Sequence, residues 1–227
     1  MTTAILATQL LALTTGVLLV TSVLLVWQRS LASAVRVLAV QGGALALLVV
    51  AIGLTEGDAE LFVVAVVVLA LKAIAIPLVL ARAIRSSGVE REDKPLLNPT
   101  AGLVIVALLT TLAYLVSTPI VAATGGTGAG EAGPAAFSAP VGLTMVLVGF
   151  LLLTTRRRAL SQVVGFLVLD NGIATVGFLT AAGVPLVVEL GVSLDVLLVA
   201  LILAVLSGRM GALIGQDPVS MMTELRD

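Results

Sequence analysis

Ionisable residues stand inside long apolar stretches of this chain, where they call for an explanation: Lys72, Asp170, Glu189 and Asp195. Gln41 is a further strongly polar residue in such a stretch. An apolar environment disfavours the charged form of a carboxyl group, so these carboxylates could accept and release protons near neutral pH. A lysine there can lose its charge or pair with a carboxylate. The residue types therefore indicate proton handling or, alternatively, ion pairs that only hold apolar segments together.

The composition predicts the solvent in which these residues lie. The chain has 227 residues, of which 59% are hydrophobic and 11% are charged. Soluble domains average about 25% charged residues, so we expect the lipid bilayer to be the main solvent. The absence of Cys and His excludes within this chain an iron–sulfur cluster, a Cys-ligated metal and a His-based triad. We therefore expect no cofactor, no metal and no active site in this chain. The net charge of −1 at pH 7 also predicts no nucleic-acid partner.

Seven apolar stretches are long enough to cross a bilayer, which requires about 20 residues. They predict an all-α integral membrane protein with helices over 4–27, 31–54, 61–82, 101–123, 139–155, 163–182 and 185–207. Lys and Arg gather in alternate loops and in the C-terminal segment, whereas the loop after the second stretch is acidic. The positive-inside rule then places the N-terminus outside and the C-terminus in the cytoplasm.

The helical rise of 1.5 Å per residue places the polar residues at a depth in the membrane. Lys72, Asp170 and Asp195 fall in the middle third of a core of about 30 Å, and Gln41 joins them. Glu189 lies only roughly 6 Å from the outer face and can reach interfacial water. We therefore predict a polar layer at the middle of the membrane.

Neighbouring residues add detail to this layer. Pro77 follows Lys72 by five positions and removes a backbone donor, so we expect the helix to kink or open beside the cation. The amide of Asn171 could orient the Asp170 carboxylate or a water molecule. Gly172 is equally well explained by helix packing.

A run of three arginines, 156–158, precedes the sixth stretch. It is most simply a topology signal, and the alternative is a site for anionic lipids.

Several segments carry a family resemblance: LDNGI at 169–173, PLVVELG at 185–191, LDVLLVALI at 194–202 and LKAIAIPLVLARAI at 71–84. With these segments the chain resembles the hydrogenase-4 component E family, membrane subunits of group 4 hydrogenase and formate hydrogenlyase complexes. The last three helices also resemble chain K of respiratory complex I and the matching small subunit of multisubunit cation/proton antiporters. The chain-K resemblance implies an intramembrane carboxylate at Asp170 and another at Asp195.

Two departures from these families bear on the carboxylates. The hydrogenase-4 component E family usually has Glu where Asp170 stands. The spacing from Asp170 to Asp195 is shorter than in chain K, so Glu189 remains a rival for the second carboxylate.

The resemblance implies a non-catalytic membrane-arm subunit of a complex-I-like redox complex in a prokaryotic cell (inner) membrane. Its partners would be antiporter-like membrane subunits and a redox module that supplies electrons. The expected path for protons, or for sodium ions, comprises Asp170, Asp195, Glu189, Lys72, Gln41 and Asn171. Two alternatives stay open: a stand-alone secondary transporter, and a structural spacer that only joins other membrane subunits, as in a multisubunit cation/proton antiporter.

The predicted organisation has four parts. Residues 1–123 form a four-helix membrane region, and 124–138 form a Gly-rich external loop. Residues 139–210 form a three-helix region that resembles chain K, and 211–227 form a cytoplasmic tail.

Overall fold

The computed structural model describes residues 2–87, 97–123 and 134–180, and the regular elements in these ranges are helices. They are α1 (Thr2–Trp27), α2 (Leu31–Glu56), α3 (Ala59–Val68), a π-helical segment (Leu69–Ala75), α4 (Ile76–Ser87), α5 (Pro99–Ala123), α6 (Pro134–Thr155) and α7 (Ala159–Thr180). α3, the π-helical segment and α4 run on without a break, so they form one continuous rod.

In these described ranges, five helical stretches are long and apolar enough to cross a membrane: Ile5–Trp27, Leu31–Glu56, Ala59–Arg85, Pro99–Pro119 and Ala159–Leu179. A further apolar helix, Ala139–Thr155, is shorter. The predicted all-helical fold is therefore confirmed for the described residues, and the chain is a membrane protein. The predicted seventh helix, 185–207, and the predicted tail, 211–227, lie outside the described residues.

Several helix ends differ from the predicted ones because local capping, and not hydropathy, sets them. α2 ends where Gly57 adopts a left-handed φ of 70°. α3 begins one residue after Asp58, whose side chain accepts a hydrogen bond from the Glu60 N–H. α6 begins at Pro134, so the last five residues of the predicted external loop 124–138 are helical. Proline is favoured at the first position of a helix, where its missing N–H costs nothing.

Among the described helices, α6 and α7 pack against each other most extensively. Glycines at seven-residue spacing line both sides of this antiparallel contact. A Cβ atom added to any of them would lie 2.4–2.9 Å from a backbone nitrogen of the opposite helix: Gly142, Gly149, Gly165 and Gly172. The two backbones therefore touch directly, as small residues allow in membrane helices. The packing explanation of Gly172 is thus confirmed.

α2 occupies the centre of the described bundle. It packs against α1, α3, the π-helical segment, α4 and α7, whereas α5 packs at the edge against α1 and α6. The buried apolar side chains form two separate clusters along the bundle. One cluster includes Leu38, Leu80 and Val168, and the other includes Leu48, Val68 and Phe178.

Candidate functional site

A buried ion pair joins two parts of the chain that are 98 residues apart in sequence. Lys72 Nζ lies 2.9 Å from Asp170 Oδ2, and the two side chains are only 2% and 7% exposed. Lys72 is carried by the π-helical segment and Asp170 by α7. The expectation that Lys72 lies in the interior within reach of a carboxylate is confirmed.

The backbone beside Lys72 departs from α-helical geometry. The segment Leu69–Ala75 is π-helical, and the N–H of Ile76 donates to the carbonyl of Leu71, five residues earlier. Pro77 follows at once; it has no N–H, and its ring crowds the carbonyl four residues before it. A π-helical stretch relieves that crowding by widening the turn, and such stretches are frequent at functional sites. The predicted opening of the helix beside the cation is therefore confirmed.

Gly42 lets this segment lie directly against α2. A Cβ atom at Gly42 would come within 2.6 Å of the carbonyl carbon and oxygen of Lys72. The neighbouring Gly43 faces open space, with no atom within 4 Å of an added Cβ. Gly42 therefore determines how deeply Lys72 enters the bundle. The sequence analysis missed it, although the Gly-Gly pair directly after Gln41 is a visible signal.

A chain of side-chain hydrogen bonds runs from α7 through α2 to α1. The Asn171 amide donates to Gln41 Oε1 at 3.2 Å, and the Gln41 amide donates to Ser22 Oγ at 2.8 Å. The Ser22 hydroxyl in turn donates to the Leu18 carbonyl at 2.8 Å. Each of these three polar side chains is at least 95% buried. Ser22 is a member that the sequence analysis did not single out.

Of the two roles expected for Asn171, orienting the Asp170 carboxylate is not seen, while orienting a water molecule stays a prediction. Its amide bonds to Gln41 and not to the Asp170 carboxylate. Successive side chains on an α-helix point about 100° apart, so Asp170 faces the π-helical segment while Asn171 faces α2. Gly172, the next residue, packs against α6.

These groups form a polar layer across the bundle. Along α2, Gln41 lies between apolar residues of one buried cluster up to Leu38 and of the other from Ala44 onward. Asp170 and Asn171 likewise separate the two clusters along α7, between Val168 and Ala174. The predicted layer is therefore present in the part of the chain that the structure describes.

A small cavity adjoins the ion pair. Its volume is about 10 Å³, close to what one water molecule needs, and Lys72, Asp170 and Asn171 contribute its polar lining. Pro77 and Leu167 are among the apolar residues that line it. The ion pair therefore borders a space that is large enough for about one water molecule.

The described ranges contain no group of three or more His, Cys, Asp or Glu residues placed to hold a metal ion. Glu189 and Asp195, the other two carboxylates of the predicted path, lie outside the described residues. Their part in the path stays a prediction, as does the proton-carrying role of the residues that the structure brings together.

Arg156 has a role beyond a topology signal. Its Nη2 atom donates to three backbone carbonyls at the end of α1: Leu25 at 3.2 Å, Val26 at 3.3 Å and Gln28 at 2.9 Å. The last carbonyls of a helix lack partners within the helix, and a cation there also interacts favourably with the helix dipole. Arg156 therefore ties the end of α6 to the end of α1.

One curated protein is similar to the chain over nearly its whole length. It comes from Mycobacterium tuberculosis (strain ATCC 25618 / H37Rv), its description reads "Uncharacterized protein Rv0085", and it is 43% identical over 213 residues. The match covers 93% of this chain and 94% of that protein. No family model matches the chain, and no solved structure matches it. The chain belongs to the family of the Mycobacterium tuberculosis protein.

Proposed function

We propose that the chain is a non-catalytic membrane-arm subunit of a complex-I-like, group 4 hydrogenase-type redox complex. In this proposal its polar layer takes part in the translocation of protons or sodium ions. The observation that carries the proposal is the buried pair of Lys72 and Asp170 beside a cavity the size of a water molecule.

The cost of burying such a pair supports a functional role. Taking two charges out of water is expensive, and well-packed apolar residues of similar volume are often as stable or more stable. Ionisable groups inside membrane proteins commonly mark ion pathways and proton relays. Lys72 also lies in a π-helical segment, which adds a second departure from the simplest packed helix. A pair that served packing alone would not need the cavity beside it.

The proposed topology has seven spanning helices with the N-terminus outside and the C-terminus in the cytoplasm of a prokaryotic cell. The distribution of charge in the described residues supports it. Arg29 and Arg156 lie at one end of the bundle. At the other end, Glu56 is the last residue of α2 and Asp58 directly precedes α3. Cytoplasmic loops carry an excess of Lys and Arg, so the arginine-bearing end is assigned to the cytoplasm.

The proposed partners are antiporter-like membrane subunits and a redox module. Their support is the resemblance to the hydrogenase-4 component E family and to chain K. The proposed ion path would extend from Lys72 and Asp170 to Asp195 in the last helix, with Glu189 as the rival station. Gln41 and Asn171 would position the layer rather than titrate, because amide side chains carry no exchangeable charge at neutral pH.

A structural spacer is the second candidate, and one observation favours it. The described polar side chains of the layer find partners within the chain itself: Lys72 with Asp170, and Asn171 with Gln41. A spacer would use such contacts to hold its helices in register. In that case replacing both members of the ion pair by neutral residues would leave function unchanged.

Purification of the tagged full chain from its native membranes in mild detergent tests the proposed assembly. A subunit of the proposed complex brings antiporter-like proteins and a redox module with it. A chain that elutes alone contradicts the proposal and favours a stand-alone transporter.

The variant Asp170→Asn tests the ion path, because it keeps size and hydrogen bonding but removes the titratable proton. We expect assembly and the redox reaction to persist while ion translocation falls at least about tenfold, since loss of a positioned proton acceptor typically costs more than that. Asp58→Asn is the matched control, because Asn caps a helix about as well as Asp does. Ion translocation at the wild-type level in Asp170→Asn would contradict the ion path and favour the structural spacer. Loss of assembly would assign the pair to holding the helices together.

A further inference from the structure

Two adjoining clefts open at the arginine-bearing end of the bundle, far from the polar layer. One has a volume of about 20 Å³ and lies between α1, α5 and α6, with Asn98 in its lining. The other, of about 10 Å³, lies between α1, α2, α6 and α7, with Ser30 and Ser161 in its lining. Arg29 and Arg156 line both clefts, so the two clefts share one pair of cations.

Ser161 lines the second cleft with an unsatisfied hydroxyl group. The side chain is 5% exposed, and its Oγ atom has no hydrogen-bond partner among the described residues. Buried serines in helices usually donate to the carbonyl four residues earlier. Ser161 stands in the first turn of α7, so that carbonyl belongs to Arg157, before the helix begins. A buried polar group without a partner costs about 1–3 kcal/mol, which indicates an acceptor outside the described chain.

The surroundings favour an anion as that acceptor. α2, α5 and α7 all begin at this end, so three helix N-termini direct their partial positive charge toward it. Ser30, the N-cap residue of α2, makes no side-chain capping bond and is a further free donor of the lining. Arg29 lies exposed at the rim, and Arg156 is anchored on the α1 carbonyls. Among the described residues that line the two clefts, none is acidic.

We propose that a phosphate group, supplied by the headgroup of an anionic phospholipid, binds at the shared mouth of these clefts and places one oxygen in the second cleft, which has room for about one water-sized atom. Arg29 and the Ser161 hydroxyl would donate hydrogen bonds to the phosphate oxygens, while Arg156 and the helix N-termini add positive charge. The clefts lie at the ends of membrane-spanning helices, which is the level of lipid headgroups. The site does not depend on the function proposed above.

The experiment measures thermal unfolding of the delipidated full chain in a neutral detergent. We expect phosphatidylglycerol to raise the melting temperature, and phosphatidylcholine and inorganic phosphate to leave it unchanged. In Arg29→Gln combined with Ser161→Ala, the apparent affinity for phosphatidylglycerol should fall at least about tenfold, because two charge-assisted hydrogen bonds are lost. Arg36→Gln is the matched control: this arginine lies on α2 near the same end but lines neither cleft, and it should keep full protection.

A second measurement separates binding from folding. Ser161→Ala alone should not lower the melting temperature of the lipid-free protein, since it removes a buried hydroxyl that has no described partner. If phosphatidylglycerol raises the melting temperatures of the wild type and the double variant equally, the proposed site is wrong. If inorganic phosphate raises the melting temperature as much as phosphatidylglycerol does, a lipid is not the source of the phosphate group.

Discussion

α7 and α5 show that apolar character does not predict which membrane helices are covered by others. In their most apolar stretches, 61% of α7 is buried within the described bundle, against 22% of α5. Yet α7 is the less hydrophobic of the two. Lipid tails solvate an apolar side chain as well as another helix does, so hydrophobicity gives no drive toward helix contact in a bilayer. The difference must come from small and polar residues.

The polar residues of the two helices are satisfied in different ways. On α5, Thr110, Thr111 and Thr118 each donate to a carbonyl four residues earlier in the same helix. On α7, Asp170 and Asn171 bond to the π-helical segment and to α2. A helix that satisfies its own polar groups needs no neighbour, whereas one that cannot must pack against a helix that can.

Among the contacts that distinguish α7 from α5, we expect the ion pair to contribute most to the free energy of unfolding. Lys72→Met leaves the Asp170 carboxylate buried without its partner, which is expected to cost about 3–5 kcal/mol of the free energy of unfolding. The double variant Lys72→Met with Asp170→Asn should recover much of that loss. Unfolding of the full chain by titration with a denaturing detergent measures the two single variants, Lys72→Met and Asp170→Asn, and the double variant. Costs that simply add in the double variant would contradict the coupling of the two side chains.

The glycine contact is expected to have the next largest effect. Gly42→Ala places a Cβ atom 2.6 Å from the Lys72 backbone, so α2 and the π-helical segment must move apart. Such overpacking typically costs about 1–3 kcal/mol. Gly43→Ala, one residue further, meets nothing within 4 Å and should not destabilise the protein. Similar melting temperatures for the two variants would show that the close approach contributes little.

The hydrogen bonds themselves should give the smallest effect. Ser22→Ala removes the acceptor of the Gln41 amide, and hydrogen bonds between membrane helices average about 0.6 kcal/mol. Thr111→Ala removes a bond within α5 alone and should change the unfolding free energy by less. The same detergent titration compares the two variants. If Thr111→Ala lowers the free energy of unfolding more than Ser22→Ala does, hydrogen bonds between helices do not stabilise this protein more than bonds within a helix.

The apolar stretches predicted the helices of the described ranges well, because a spanning helix needs only length and composition. The helix ends were less predictable. Asp58 and Gly57 set two of them through a capping bond and a left-handed turn, which hydropathy does not register. The mid-membrane position of Lys72 was predicted from its distance along the helix, but three carboxylates remained as candidate partners. Ser22 was missed because a small residue in an apolar run carries no signal of its own, and Gly42 was missed although the Gly-Gly pair after Gln41 marks it.

Rise along a helix is a local property of the backbone, so residue number alone places Lys72, Gln41 and Asp170 at similar heights in the membrane. Rotation about the helix axis and the choice of neighbour are not local, because they depend on every contact that a helix makes. The close approaches at Gly42 and along α6–α7 bring Asp170, and not another carboxylate, to within 2.9 Å of Lys72. The same packing turns Asn171 toward Gln41. Composition thus dictates a membrane protein with a polar layer, while helix packing selects which members of that layer meet.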